Sequence, residues 1–317
     1  MDQRCPLIGR IRREAAELDS LIAPGAGIDK LADGFIWTEG PVWIPDGGYL
    51  LFSDVPANRM YRWSEAEGAS VFLDPSGAED IAGFREPGSN GLIRGPAGTI
   101  LIADHGNRSI ALLDLATKQK TVLADCYRGR RFNSPNDLVR SRGGAIYFTD
   151  PPYGLEGLDT SPLKEQPHNG VYRLDPGGAV ALVDDSLTFP NGILLSPDER
   201  TLYVAVSDPE RPVWLAYALD EQGAATGRRI FADASAEAAA GLPGLPDGMA
   251  IDESGNLFAT GPGGVHIFTP DGRRLGRIET GEPVANCAFG GADGRLLYLA
   301  ANHAIGRLPT LTRGLGS

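Results

Sequence analysis

The sequence predicts an all-β six-bladed propeller built of four-stranded blades, and three observations carry that expectation. A unit that reads strand, turn, strand recurs six times along the 317 residues, each copy opening on a polar residue: Glu39, Asn90, Asn136, Asn191, Asp247 and Asn286. Those openings lie 51, 46, 55, 56 and 39 residues apart, the period of one blade with loop insertions. The composition, with 42 Gly and 24 Pro, supplies the tight turns that many short strands need.

Taken in chain order, residues 1–26 form an N-terminal extension. Its "IRREAAELDSLI" places Ile11, Ala15, Leu18 and Ile22 at helical spacing, which predicts a short amphipathic helix with a packing role. Residues 27–317 are then a single propeller. Gly27 to Phe35, "GIDKLADGF", precedes the first copy and is predicted to complete the sixth, which reaches Ser317 without a good fourth strand of its own. An N-terminal strand would thus close the ring and remove exposed sheet edges.

The copies themselves are "EGPVWIPDGGYLLFSD", "NGLIRGPAGTILIAD", "NDLVRSRGGAIYFTD", "NGILLSPDERTLYVAVSD", "DGMAIDESGNLFATG" and "NCAFGGADGRLLYLAA". In each, apolar alternation flanks a turn containing Gly or Pro-Asp, and the second run is rich in β-branched and aromatic residues. Third and fourth strands follow, as in "GVHIFTP" and "RRLGRIET", joined by Asp271-Gly272, a strong hairpin signal. Between Asp150 and Val171 the connection is unusually long, and long loops without regular structure are often functional covers, so residues 151–169 are read as a lid.

Charge narrows the function. A formal net charge of -12 repels phosphate backbones and anionic membranes, so neither nucleic acid nor a membrane surface is an expected partner. The chain has no apolar leader and reads as soluble and cytoplasmic. Cys5, Cys126 and Cys287 lie far apart with no paired spacing, so no disulfide scaffold is expected. No G-x-S-x-G elbow or phosphate-binding glycine loop occurs, which argues against serine hydrolase and P-loop chemistry.

The repeat register turns six residues into a candidate site. If each polar residue opens the innermost strand of its blade, six oxygen-bearing side chains converge at one end of the central channel. A turn-forming role explains any one Asp or Asn, but not two carboxylates and four amides in the same register. Oxygen ligands without clustered His or Cys suit a hard cation, Ca²⁺ before Mg²⁺, with Mn²⁺ or Zn²⁺ as alternatives. Glu39, Asn136, Asn191 and Asp247 are the candidate ligands. Asn90 is a candidate for the substrate pocket or a strand cap, and Asn286 for a strand cap. The loops after the second strands bring Asp54, Asp104 with His105, Asp150 with Tyr153, and Asp208 to the same rim. His105 is there a candidate substrate contact or proton shuttle, beside a plain structural hydrogen bond. Tyr153 is a candidate sugar cover.

With these residues in place the sequence resembles the bacterial gluconolactonase branch of the family that contains senescence marker protein, also called regucalcin. The stretches that carry the resemblance are "TEGPVW", "SPNDLV", "FPNGILLSPD" and "LPDGMAID", with "FTDPPYGL" and "ADHGNR" typical of bacterial members. The resemblance implies that Glu39, Asn191 and Asp247 bind a divalent cation, that Asn136 contacts metal or substrate, and that Asp247 is the general base. It implies hydrolysis of a sugar lactone to the aldonic acid, with the metal polarising the carbonyl. Animal members carry an arginine two residues before the position of Asn136. Here Ser134 stands there, and Arg131, five residues before, becomes the candidate donor to a substrate hydroxyl. Two other readings share the scaffold: a phosphotriesterase or aryl-esterase using the same ion, and a non-catalytic binding propeller with a structural ion.

Overall fold

The computed structural model describes residues 7–316, so Cys5 lies outside the described residues. Six four-stranded antiparallel units surround a central channel, as the repeat predicts. The innermost strands are Thr38–Ile44, Ser89–Arg94, Leu138–Arg140, Pro190–Leu195, Met249–Ile251 and Asn286–Gly290, and each packs against its neighbours around the axis. Each blade continues outward through strands in sequence order, the first through Tyr49–Asp54, Arg59–Ser64 and Gly68–Leu73. Asp29–Asp33 pairs antiparallel with Ala304–Pro309, so the outer strand of the sixth blade comes from the N-terminal side, as expected. This joins the first blade to the last covalently.

The extension before that strand differs from its prediction. Arg10–Arg13 is extended and adds a fifth strand to the fifth blade, Ile11 standing opposite Ile278. Only Ala16–Ser20 is helical, as one turn of 3-10 type. The outer edge of a blade offers a row of unpaired N–H and C=O groups, and pairing with it outweighs the weak helix propensity of a short segment. Leu18 and Ile22 still bury completely, now as core of the fifth and sixth blades.

The apolar core lies between blades rather than within one layer. Leu101 of the second blade meets Phe148 and Tyr172 of the third across Phe132. Trp214 and Tyr203 of the fourth pack on Phe268 and Leu257 of the fifth. Fully burying one Val, Leu, Ile or Phe side chain contributes about 1.5–3 kcal/mol, so blade-to-blade burial holds the ring and keeps its axis rigid. Among the described residues no helix is long and apolar enough to cross a membrane.

Candidate active site

Five of the six aligned polar residues line one cleft of about 670 Å³ at the end of the channel: Glu39, Asn90, Asn136, Asn191 and Asp247. The sixth does not. Asn286 turns below them, donating to the Glu39 carboxylate at 3.2 Å while its own oxygen accepts the Cys287 N–H at 2.8 Å. With Asp137 it lines a smaller cavity, about 200 Å³, at the opposite end of the channel.

The small residue that follows most of these positions has a steric reason. A Cβ on Gly248 would fall 2.0 Å from Asn286 Cγ, and one on Gly40 would fall 2.1 Å from the Asn90 carbonyl oxygen. The chain passes the neighbouring blade there so closely that only glycine fits. Hydroxyls at the ends of second strands fasten the same junctions. Ser53 donates to the Asn90 carbonyl at 2.9 Å, Thr149 to that of Asn191 at 2.6 Å, Thr260 to that of Ala285 at 3.1 Å, and Ser207 to that of Pro246.

The amides form a chain across the floor. Asn90 Nδ2 donates to Asn136 Oδ1 at 2.7 Å, Asn136 Nδ2 to Asn191 Oδ1 at 2.5 Å, and Asn191 Nδ2 to Ser207 Oγ at 2.9 Å. Each amide therefore has its orientation set by the next. His105 is fully buried behind this chain, its Nε2 3.1 Å from Asn136 Oδ1. Burial pushes its pKa down to about 4, so the imidazole is neutral. The expected substrate contact is thus replaced by a structural one: His105 steadies Asn136 from behind and does not line the cleft.

Electrostatically the floor gathers buried carboxyls whose charged forms are disfavoured. Burial raises the carboxyl of Glu39 far above its usual range, and the charge of Asp137 adds to it. Asp247 is raised too, first by burial and then by the charges of Glu39 and Asp137. The charges that act most strongly on either residue are themselves anions, Asp137 and Glu86 among them. Asn90 Oδ1 is buried without a hydrogen-bond partner. Two desolvated carboxylates, amide oxygens with a lone pair to spare, and no thiol fit a hard divalent cation. Among the described residues no three His, Cys, Asp or Glu side chains gather as a metal cage, so amide oxygens would have to complete the donor set.

The remaining predicted positions divide. Tyr153 lines the cleft. Arg131 does not: it is exposed, on the small hairpin of Cys126–Tyr127 with Arg130–Arg131, and its guanidinium donates to the Asn107 carbonyl at 2.6 Å. Nothing brings its side chain inward, because that hairpin packs outside the second and third blades. The aspartates at the rim are loop fasteners. Asp54 accepts the N–H groups of Ile36 and Trp37, Asp150 those of Asn133 and Ser134, and Asp104 the Lys120 ammonium. Asp208 takes the Thr188 hydroxyl. Residues 151–169, read as a lid, form a pinned wall. Leu155 bridges Phe84, Glu156 N–H donates to Gly83, and the Gln166 amide holds the carbonyls of Tyr127 and Arg130.

Five polar cleft residues have no role in the sequence reading: Arg85, Glu86, Ser207, Asn302 and His303. Ser207 was findable, since it precedes Asp208 as Ser53 precedes Asp54 and Thr149 precedes Asp150. Arg85, Glu86 and His303 lie in connections that vary from blade to blade and leave no periodic signal.

Residues 37–303 match the family model described as "SMP-30/Gluconolactonase/LRE-like region". The chain is 50% identical over 313 residues to a gluconolactonase of Zymomonas mobilis, covering 97% of this chain and 88% of that one. A pentonolactonase of Haloferax volcanii is 30% identical over 271 residues, 82% of this chain and 80% of that one. Among solved structures, a gluconolactonase from Xanthomonas campestris superposes with a TM-score of 0.81 at 32% identity, covering 98% of this chain and 99% of the other.

Proposed function

The chain belongs to the SMP-30/Gluconolactonase/LRE-like family, and on that premise we propose that it hydrolyses a sugar lactone of the gluconolactone type to the aldonic acid, with the help of a divalent cation, Ca²⁺ first. One observation supports the metal reading above the others: Glu39 and Asp247 face one cleft with the amides of Asn136 and Asn191, and the charges that act most strongly on both carboxyls are other carboxylates. Those four residues would hold the ion. Bound there, a divalent cation polarises a carbonyl and lowers the pKa of water.

The chain's own residues supply the rest. Asp247, at the cleft floor, takes the proton of the attacking water as the bond to the acyl carbon forms. The chain of amides from Asn90 to Ser207 holds its donors and acceptors in one order, so that hydroxyls of the substrate meet fixed partners. Trp37, Leu245 and Pro283 form an apolar wall that excludes bulk water. The acyl–oxygen bond of the ring breaks and a hydroxy acid leaves.

The direct test is acid release from an aldonolactone, measured with the protein as purified, after chelation, and after return of Ca²⁺, Mg²⁺, Mn²⁺ or Zn²⁺. Activity should vanish with chelation and return with one of the ions, and Asp247→Asn should lose about 100-fold or more in kcat. A metal-loaded protein that opens no aldonolactone, and that Asp247→Asn leaves unaltered, would refute the reading.

A further inference from the structure

Tyr153 has a hydroxyl for which the site as described has no use. The phenol oxygen is enclosed and has no hydrogen-bond partner among the described residues, an arrangement that proteins seldom keep without a ligand to complete it. It belongs to the wall of the cleft that also carries Asn191, Ser207 and Asp247. The ring is fixed, stacked on Phe189 with centroids 5.8 Å apart and planes 12° from parallel.

The backbone on either side is equally constrained. Ser134 Oγ donates to the Pro151 carbonyl at 2.6 Å and accepts the Gly154 N–H at 2.9 Å, while the Gly154 carbonyl takes the Arg85 N–H at 2.9 Å. A Cβ on Gly154 would sit 2.8 Å from that of Ser134 and 2.9 Å from that of His105, so the loop lies flush against the wall and cannot carry a larger residue there. Burial raises the phenol's pKa, although the Ser207 hydroxyl opposes this, and the charges of Asp247 and Glu86 raise it further. Tyr153 is therefore a neutral O–H, held by a rigid loop in the wall of the cavity where the base stands.

Opening a sugar lactone requires such a donor. As water adds, the new C–O bond forms at the acyl carbon and a proton passes to Asp247. As the ring opens, the acyl–oxygen bond breaks and its electron pair stays on the ring oxygen, an aliphatic alkoxide and a poor leaving group. A donor other than the base lets addition and expulsion proceed without a proton first crossing the acyl carbon. Resting on the lactonase reading, we propose that Tyr153 is a catalytic residue that donates its phenol O–H to the ring oxygen of the lactone as the acyl–oxygen bond breaks. The phenolate left on Tyr153 is then reprotonated by the proton that Asp247 took from water, and both residues end as they began. The assignment fits the placement of the hydroxyl beside Asp247, and it gives the unpartnered oxygen its partner.

The test compares Tyr153→Phe with the wild type on two substrates, an aldonolactone and an aryl lactone whose phenolate leaves without help. Loss of the donor should lower kcat on the aldonolactone by about 100-fold while KM stays within about 3-fold and the aryl lactone loses no more than about 5-fold. Equal losses on both substrates, or a change confined to KM, would overturn the assignment in favour of a wall that merely shapes the cleft. A second reading uses the aldonolactone alone in ¹⁸O-water. The variant should return more label to unreacted lactone per turnover, because addition of water continues while expulsion of the ring oxygen slows; an unchanged ratio overturns the assignment. The Tm of Tyr153→Phe should equal or exceed that of the wild type, since an unpartnered hydroxyl is removed, and a fall would point to a structural role instead. A wild type that opens neither lactone refutes the hydrolase reading itself, an outcome distinct from every result that the variant alone produces.

Discussion

Asp247 and Gly248 divide between them what a turn former and a charge carrier do at other places in the chain. The glycine exists for the passage of Asn286, and the aspartate faces the cleft. Replacing Gly248 by Ala would force its Cβ into the Asn286 amide and should destabilise the protein by about 1–3 kcal/mol in urea unfolding. Arg131→Ala tests the opposite case. An exposed guanidinium bonded to one loop carbonyl should change stability by no more than about 0.5 kcal/mol, and lactone hydrolysis by less than about 2-fold in kcat/KM. Residue identity alone located Glu39, Asn136, Asn191 and Asp247, because they repeat in register. It left the roles of His105 and Arg131 open, because these depend on which way a loop folds over the blade beside it.

At the level of the element, the strand ends matter more than the strand interiors. In four of the six blades a hydroxyl at the end of the second strand reaches across to a carbonyl at the entry of the next innermost strand, so one residue sets both the spacing of two blades and the height of a site residue. Thr149 is the clearest instance, bonded to the Asn191 carbonyl and also accepting the Asp137 N–H at 3.2 Å. Thr149→Val keeps the shape and leaves that carbonyl buried without its donor. A loss of about 1–3 kcal/mol is expected by chemical denaturation, with weaker divalent-ion binding by calorimetry because Asn191 is released. The N-terminal segment teaches the same lesson in reverse. The spacing of Ile11, Ala15, Leu18 and Ile22 suits a helix, yet the first of these is a strand residue, because an open blade edge lies within reach. Local periodicity reports which residues bury, and the neighbouring edge decides the conformation in which they do so.

For the whole molecule, the ring gathers acid at its axis, and this couples stability to pH. Burial lifts Glu39 and Asp247 well above the usual carboxylate range and lifts Asp137 to about 7. Between the unfolded carboxyl range and those raised values, the metal-free folded chain binds more protons than the unfolded one. Its stability must therefore fall as pH rises through that window. Carboxylates lowered by hydrogen bonds, such as Asp198 from Ser196 and Asp233 from Ser235, act in the opposite sense only at more acidic pH, while His105 and His266, lowered by burial to about 4, oppose the trend up to about pH 6.5. The Tm of chelated protein should thus decline between about pH 6.5 and 7.5, and added Ca²⁺ should raise it more at pH 7.5 than at pH 5, because binding must displace fewer protons there. Scanning calorimetry at the two pH values checks both signs.

What the sequence by itself determined is the repeat: six blades, their strand order, the strand from the N-terminal side that closes the ring, and the polar residue that opens each innermost strand. These are legible because a propeller repeats one supersecondary unit, and a period survives in the chain whatever its loops do. Only the tertiary structure decided that Asn286 turns away from the cleft, that His105 backs Asn136, that residues 151–169 are pinned as a wall, and that the Tyr153 hydroxyl stands unpartnered beside Asp247. Each of these depends on contacts between blades or loops far apart in sequence. Such contacts follow from the closing of the ring and have no period of their own.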